Sequence, residues 1–175
     1  MKARSLIVAL ALCAPLASPA FGDPPPPLDA TSTRIVTYLH AVDQLEIDVG
    51  KLAQSHGTAS MRVFGATLVA DYSATDRDLV AYARRHGMRT IPADAPIDPD
   101  HRPVADAQAR LKTLRGNDFD AAFLDVMPAA EDAEAATIED ALASVQDPEL
   151  EQILRTAEPQ LKSHVTAVNS LKGTH

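Results

Sequence analysis

Residues 147–171 read DPELEQILRTAEPQLKSHVTAVNSL. Asp147 is a helix-capping residue, Pro148 fits the first helical position and Glu149 sits beside the positive end of the dipole, so a helix starts here. Leu150, Ile153, Ala157, Leu161, Val168 and Leu171 recur along it at spacings of three and four, which is one apolar stripe. His164 falls where that stripe calls for an apolar residue. A buried imidazole must be hydrogen-bonded, paired or bound to a metal.

Upstream, the same period recurs three times. Ile35, Leu39, Val42, Val49 and Leu52 form a stripe that should end at His56-Gly57, with the glycine as a left-handed cap. Thr58 or Ser60 then starts a second helix carrying Met61, Phe64, Leu68, Leu79 and Tyr82, closed by His86-Gly87 in the same way. Asn117 is placed to cap a third long helix with Phe119, Phe123, Met127, Ile138 and Leu142 on one side. Between the second and third lies a connection from Met88 to about Pro103, where Pro92, Pro96, Pro99 and Pro103 break every helical start. A short helix from Val104 to Leu114 follows, ended by Gly116.

Four amphipathic helices of roughly 25 residues, with abundant alanine, leucine and glutamate and no β-branched alternation, predict an all-α four-helix bundle. The central connection is far longer than a hairpin needs. It has the length to return the chain along the bundle as in ferritin-like folds, the alternative being a plain up-and-down bundle with a decorated loop.

The chain ahead of the bundle reads as an address. Lys2 and Arg4, an apolar stretch from Leu6 to Leu16 and small residues at Ser18, Ala20 and Gly22 follow the order of a secretory signal peptide over residues 1–22. The apolar stretch is about half the ~20 residues that span a bilayer, so no transmembrane anchor is expected after cleavage. Cys13, the only cysteine, follows Leu12 rather than the small residue of a lipoprotein signal. Cleavage leaves no cysteine, hence no disulfide, thiolate nucleophile or cysteine metal site. Export with none fits a bacterial periplasm, with outer-membrane association open. Pro24 to Pro27 make residues 23–30 a stiff leader that should not pack, and residues 31–172 form the bundle domain. Loss of Lys2 and Arg4 takes the formal charge from −8 to −10 (14 basic against 24 acidic residues), which argues against nucleic acid or anionic headgroups as partners.

Leu45-Glu46-Ile47-Asp48-Val49-Gly50-Lys51-Leu52-Ala53, the Asp71-Tyr72-Ser73 step, Phe119 to Met127, Asp147-Pro148-Glu149-Leu150 and Pro159 to His164 together resemble the domain-of-unknown-function 4142 family. The resemblance spans nearly all of residues 31–171. It implies an exported bacterial protein with a ferritin-like bundle, of a kind often labelled an outer-membrane protein, and it implies no agreed activity. It also implies histidine at the positions of Tyr72 and Glu131, whereas Glu46 and His164 match. This chain therefore carries a phenol and a carboxylate where relatives carry imidazoles.

Each long helix bears a polar residue near its middle: Glu46, Tyr72, Glu131 and His164. With a rise of about 1.5 Å per residue, Glu46 and His164 lie roughly 16 Å from the Gly57 end, and Tyr72 and Glu131 roughly 21–22 Å, if the connection crosses over. The four can then meet; without the crossover they spread by roughly 11 Å and divide into pairs. Pro128, one turn before Glu131, frees the carbonyl of Leu124, and Pro159 precedes His164 in the same manner.

Two readings of this layer stand. Glu46, Glu131 and His164, with Glu134 nearby, offer oxygen and nitrogen donors suited to a single zinc, iron or manganese ion. Alternatively Glu46, Tyr72, Glu131, Glu134 and His164 form a buried hydrogen-bond network in which the Tyr72 hydroxyl and His164 satisfy Glu46 and Glu131. A di-iron oxidase is disfavoured because no Glu-x-x-His occurs. His40, His56, His86, His101 and His175 are scattered, at positions where histidine caps carbonyls or faces solvent. The acidic run Glu131, Asp132, Glu134, Glu139 and Asp140 is mostly a solvated face, with Arg84, Arg85 and Arg89 as candidate partners. No nucleophile elbow, phosphate loop or tryptophan supports hydrolase, nucleotide or haem chemistry. The expected function is a non-enzymatic binding or interaction module of the envelope, with an apolar docking patch on the Val104–Leu114 helix for an envelope protein. The alternative is a metal-handling or peroxide-related protein using the polar layer.

Overall fold

The computed structural model describes residues 25–92, 99 and 101–173. Residues 1–22, read above as a signal peptide, and His175 lie outside them. Five helices follow one another: α1 (Ala30–His56), α2 (Ala59–Arg85), α3 (Arg102–Leu111), α4 (Gly116–Ser144) and α5 (Pro148–Lys172). No strand occurs among the described residues, and the protein is all-α. No helix among them is long and apolar enough to cross a membrane.

The direction of each helix follows from contacts at its ends. The carboxylate of Asp120, at the start of α4, accepts the backbone N–H of Thr58 at 3.1 Å and also bonds its hydroxyl. The start of α4 therefore lies at the α1–α2 turn. At the opposite end Arg85 closes α2 onto Glu149 in the first turn of α5. The connection thus carries the chain back along the bundle, and α4 runs parallel to α2. Around the bundle α1 packs on α2, α2 on α5, α5 on α4 and α4 on α1. This order is compatible with the ferritin-like arrangement and differs from plain up-and-down winding.

Several local expectations are corrected. Gly57 is extended (φ −72°, ψ 169°) rather than left-handed, because α2 restarts two residues later and the chain must stay open to reverse. Glycine is needed there for space: a Cβ would meet Met61 Cγ at 2.5 Å. Gly87 does take the left-handed form (φ 86°). Pro103 lies in the first turn of α3 rather than breaking it, since proline lacks only an amide that has no partner there. α3 ends at Leu111, not Leu114. Asn117 does not cap α4; Arg115 is the cap residue without a side-chain bond, and Gly116 turns the chain with φ 57°. In α5 Leu154 is fully buried while Ile153 stays half-buried, so the stripe is shifted by one position there. Asp147 caps α5 as expected, its Oδ1 accepting the N–H groups of Glu149 and Leu150 at 2.8 and 3.2 Å.

Pro25, Pro26 and Pro27 are exposed, and the leader meets the bundle through one carbonyl and Leu28. His86 Nδ1 donates to the Pro26 carbonyl at 2.7 Å, and Leu28 rests on the lower core. The short helix departs from its assigned role. Val104 and Leu111 are fully buried against the bundle, so the expected docking patch does not exist. Val63 is the one large apolar side chain exposed among the described residues.

The core is in two parts. One cluster fills the Gly57 end with Met61, Phe64, Leu68, Phe119, Phe123 and Met127. The other fills the opposite end with Leu39, Leu79, Tyr82, Ile138, Leu154 and Leu161. Every long helix crosses from one cluster to the other, and the polar residues lie at that crossing.

Candidate functional site: a buried acidic layer

The crossover brings the predicted residues to one level. Glu46, Tyr72, Glu131, Glu134 and His164 are each 5% exposed or less. Tyr72 Oη donates to Glu134 Oε2 at 2.7 Å and lies 3.3 Å from Glu131 Oε2. A hydroxyl has one proton, so the second contact needs either a shared proton or one carried by Glu131. The Tyr72 ring stands 5.3 Å from the imidazole of His164.

In contrast to the expected network, His164 bonds neither Glu46 nor Glu131. Its Nε2 lies 2.9 Å from Asp71 Oδ2, while Nδ1 is 3.8 Å from Glu131 Oε2, beyond hydrogen-bond range. Asp71 directly precedes Tyr72 on α2 and is half-buried, so it reaches the imidazole from the rim of the layer.

Two participants were missed. Asp71 was read as part of a motif without a role. Asp43, 1% exposed, sits one turn before Glu46, and its spacing of three residues from Glu46 was the available signal. His40 Nδ1 bonds Asp76 Oδ1 at 2.5 Å, and Gln44 Nε2 donates to Asp76 Oδ2 at 2.9 Å, which extends the polar contacts from the layer toward the surface. His56 and His86 hold carbonyls as expected, whereas His101 is wholly buried beside Tyr38. Of the acidic run, Glu131 and Glu134 are buried rather than solvated, because they face the crossing of all four helices. Arg85 pairs with Glu149, not with that run.

Electrostatics set the state of the layer. Every lysine and arginine among the described residues is exposed, so no cation of theirs faces the four buried carboxyls. Burial pushes the Asp43 carboxyl well above its usual range, helped by the charges of Glu134, Asp76 and Glu46. Burial likewise raises Glu46, with Glu134 adding to it, and raises Glu131, with Glu46 and Glu134 adding to it. The Tyr72 hydroxyl is raised by burial and by the same carboxylates. Burial lowers His164, against the opposing pull of Asp71. Burial thus favours the protonated forms of Asp43, Glu46 and Glu131 and the uncharged imidazole of His164.

Even so, some polar atoms stay unmatched. Asp43 Oδ2, Glu46 Oε2, Glu131 Oε1 and His164 Nδ1 are buried with no hydrogen-bond partner among the described residues. Such groups cost roughly 1–3 kcal/mol each unless something satisfies them. Beside Asp43 and His164 a narrow, mostly apolar cleft, lined also by Leu39, Tyr72, Ile138, Leu154 and Leu161, has room for about one water molecule and does not reach Glu46 or Glu131. No three histidine, aspartate or glutamate side chains among the described residues already stand in the geometry of a metal ligand set. Three of the four unmatched atoms belong to Glu46, Glu131 and His164, so the donor types suit an ion, although no three of these side chains are arranged to hold one.

The fold and this layer define a helical bundle with an acidic polar interior. The chain belongs to the family described as a domain of unknown function (DUF4142), whose model matches residues 17–171. No curated protein and no solved structure matches it.

Proposed function

We propose that the chain is an exported, non-enzymatic binding module of the bacterial cell envelope, and that its ligand is a small cation taken into the acidic layer between the four helices. The observation that carries this reading is the set of unmatched buried donors, Glu46 Oε2, Glu131 Oε1, His164 Nδ1 and Asp43 Oδ2, in an interior without lysine or arginine. A cation supplies what each of them lacks. Docking of an envelope protein through the short helix finds no support in buried Val104 and Leu111.

Thermal melts of the full chain, stripped by chelator and then titrated with mono- and divalent cations, test the reading. A ligand present at 100 times its dissociation constant stabilises the folded state by about 2.7 kcal/mol, so the midpoint should climb with concentration. Midpoints that ignore every cation and the chelator would reduce the layer to an internal network. That network is the second reading, favoured by the Tyr72 bond to Glu134.

A further inference from the structure

We infer that the cation is a divalent transition-metal ion bound through His164 Nδ1, and that Asp71 is the positioning residue that turns this nitrogen toward it. The inference rests on the cation reading above and specifies its ligand class. Asp71 Oδ2 lies 2.9 Å from Nε2, and as a carboxylate it accepts, which places the imidazole proton on Nε2. In a neutral imidazole that leaves the lone pair on Nδ1, and Nδ1 is the nitrogen that has no partner.

The gap it faces suits an ion. Nδ1 and Glu131 Oε2 are 3.8 Å apart, too far for a hydrogen bond. Two ligands at about 2.0–2.2 Å from a zinc ion can span that distance. Glu131 Oε1 and Glu46 Oε2 are the further unmatched oxygens, on α4 and α1. Glu46 must rotate toward the gap, because no third side chain stands there already. A carboxylate that holds one ring nitrogen so that the other binds metal is a recurrent outer-shell arrangement, and its loss costs about 10–100-fold in affinity. One imidazole with carboxylates selects zinc, manganese or iron over calcium or magnesium, which favour all-oxygen sites.

Two measurements on the full chain test this. Nitrogen-15 shifts of the metal-free protein report the tautomer of His164, and the expected form is Nε2–H. Asp71→Ala should mix the tautomers, and Asp71→Asn, which keeps an acceptor oxygen, should retain the original one. Calorimetric titration should show zinc binding at least about 100-fold tighter than calcium, weakened about 10–100-fold by Asp71→Ala and largely restored by Asp71→Asn. Asp71 lies at the rim, so its variants test the idea without emptying the core. An Nδ1–H tautomer, or calcium binding as tight as zinc with no effect of Asp71→Ala, overturns the inference while leaving a cation in the layer. Absence of binding by any cation overturns it together with the cation reading.

Discussion

Tyr72 on α2 donates to Glu134 on α4 across the diagonal of the bundle, 2.7 Å from oxygen to oxygen. These two helices run parallel, and only the crossover of the chain between them sets their polar residues at one height. The contact therefore joins the topology of the fold to the chemistry of its interior. Removing the hydroxyl in Tyr72→Phe leaves Glu134 and Glu131 short of a donor. A loss of about 1–3 kcal/mol is expected in urea denaturation, the cost of an unmatched buried acceptor. A loss below about 0.5 kcal/mol would mean that water already reaches the layer.

Glu46 faces no lysine or arginine, and burial favours its protonated form. Glutamine has the shape of that neutral acid. Glu46→Gln should therefore change stability at pH 7 by less than about 1 kcal/mol, or raise it. Breaking a buried ion pair would instead cost about 3–5 kcal/mol, and equilibrium denaturation separates the two.

Asp43 gives the sign of a pH effect. Its carboxyl titrates above the ordinary value of 3.8 in the folded chain. Above pH 3.8 the unfolded chain gives up this proton while the folded chain keeps it, so stability from this group is fully present at lower pH and is lost as pH rises toward the folded value. Asp43→Asn removes the dependence. The variant should gain stability relative to the parent between pH 5 and pH 8, and the gain should shrink toward pH 4. Paired melting curves across that range give the answer, and a gain that grows on acidification would reverse the assignment.

Asp120 ties the start of α4 to the α1–α2 turn through the Thr58 N–H and hydroxyl. Asp120→Ala strips two charge-assisted bonds from a fully buried site. About 2–4 kcal/mol should be lost in denaturation, with Thr58→Val losing part of it. A loss no larger than a surface substitution would show that packing alone holds the crossover.

Much of this was legible in the chain. The helices and the Asp147-Pro148-Glu149 start follow from local rules, and the height of the quartet follows from helical rise once a crossover is assumed. Partner choice was not legible. His164 turned to Asp71 rather than to Glu131, because a side chain chooses among neighbours from three helices that no linear spacing ranks. Asp43 went unnoticed for a related reason: an aspartate beside Val42 reads as a helix edge until α4 is known to cover it. Gly57 was assigned a left-handed cap from its residue type, but the close approach of Met61 is what requires it. The patch on α3 failed because its apolar residues had a bundle to cover, and the crossover brought them to it.

The central claim is that the acidic layer takes up a cation, and elemental analysis tests it most directly. The full chain is dialysed against zinc, freed of excess and assayed beside a Glu46→Gln, Glu131→Gln double variant that keeps the neutral shape of both acids. The account predicts close to one zinc per chain in the parent and little or none in the variant. Zinc absent from the parent, or equal in both, would contradict it.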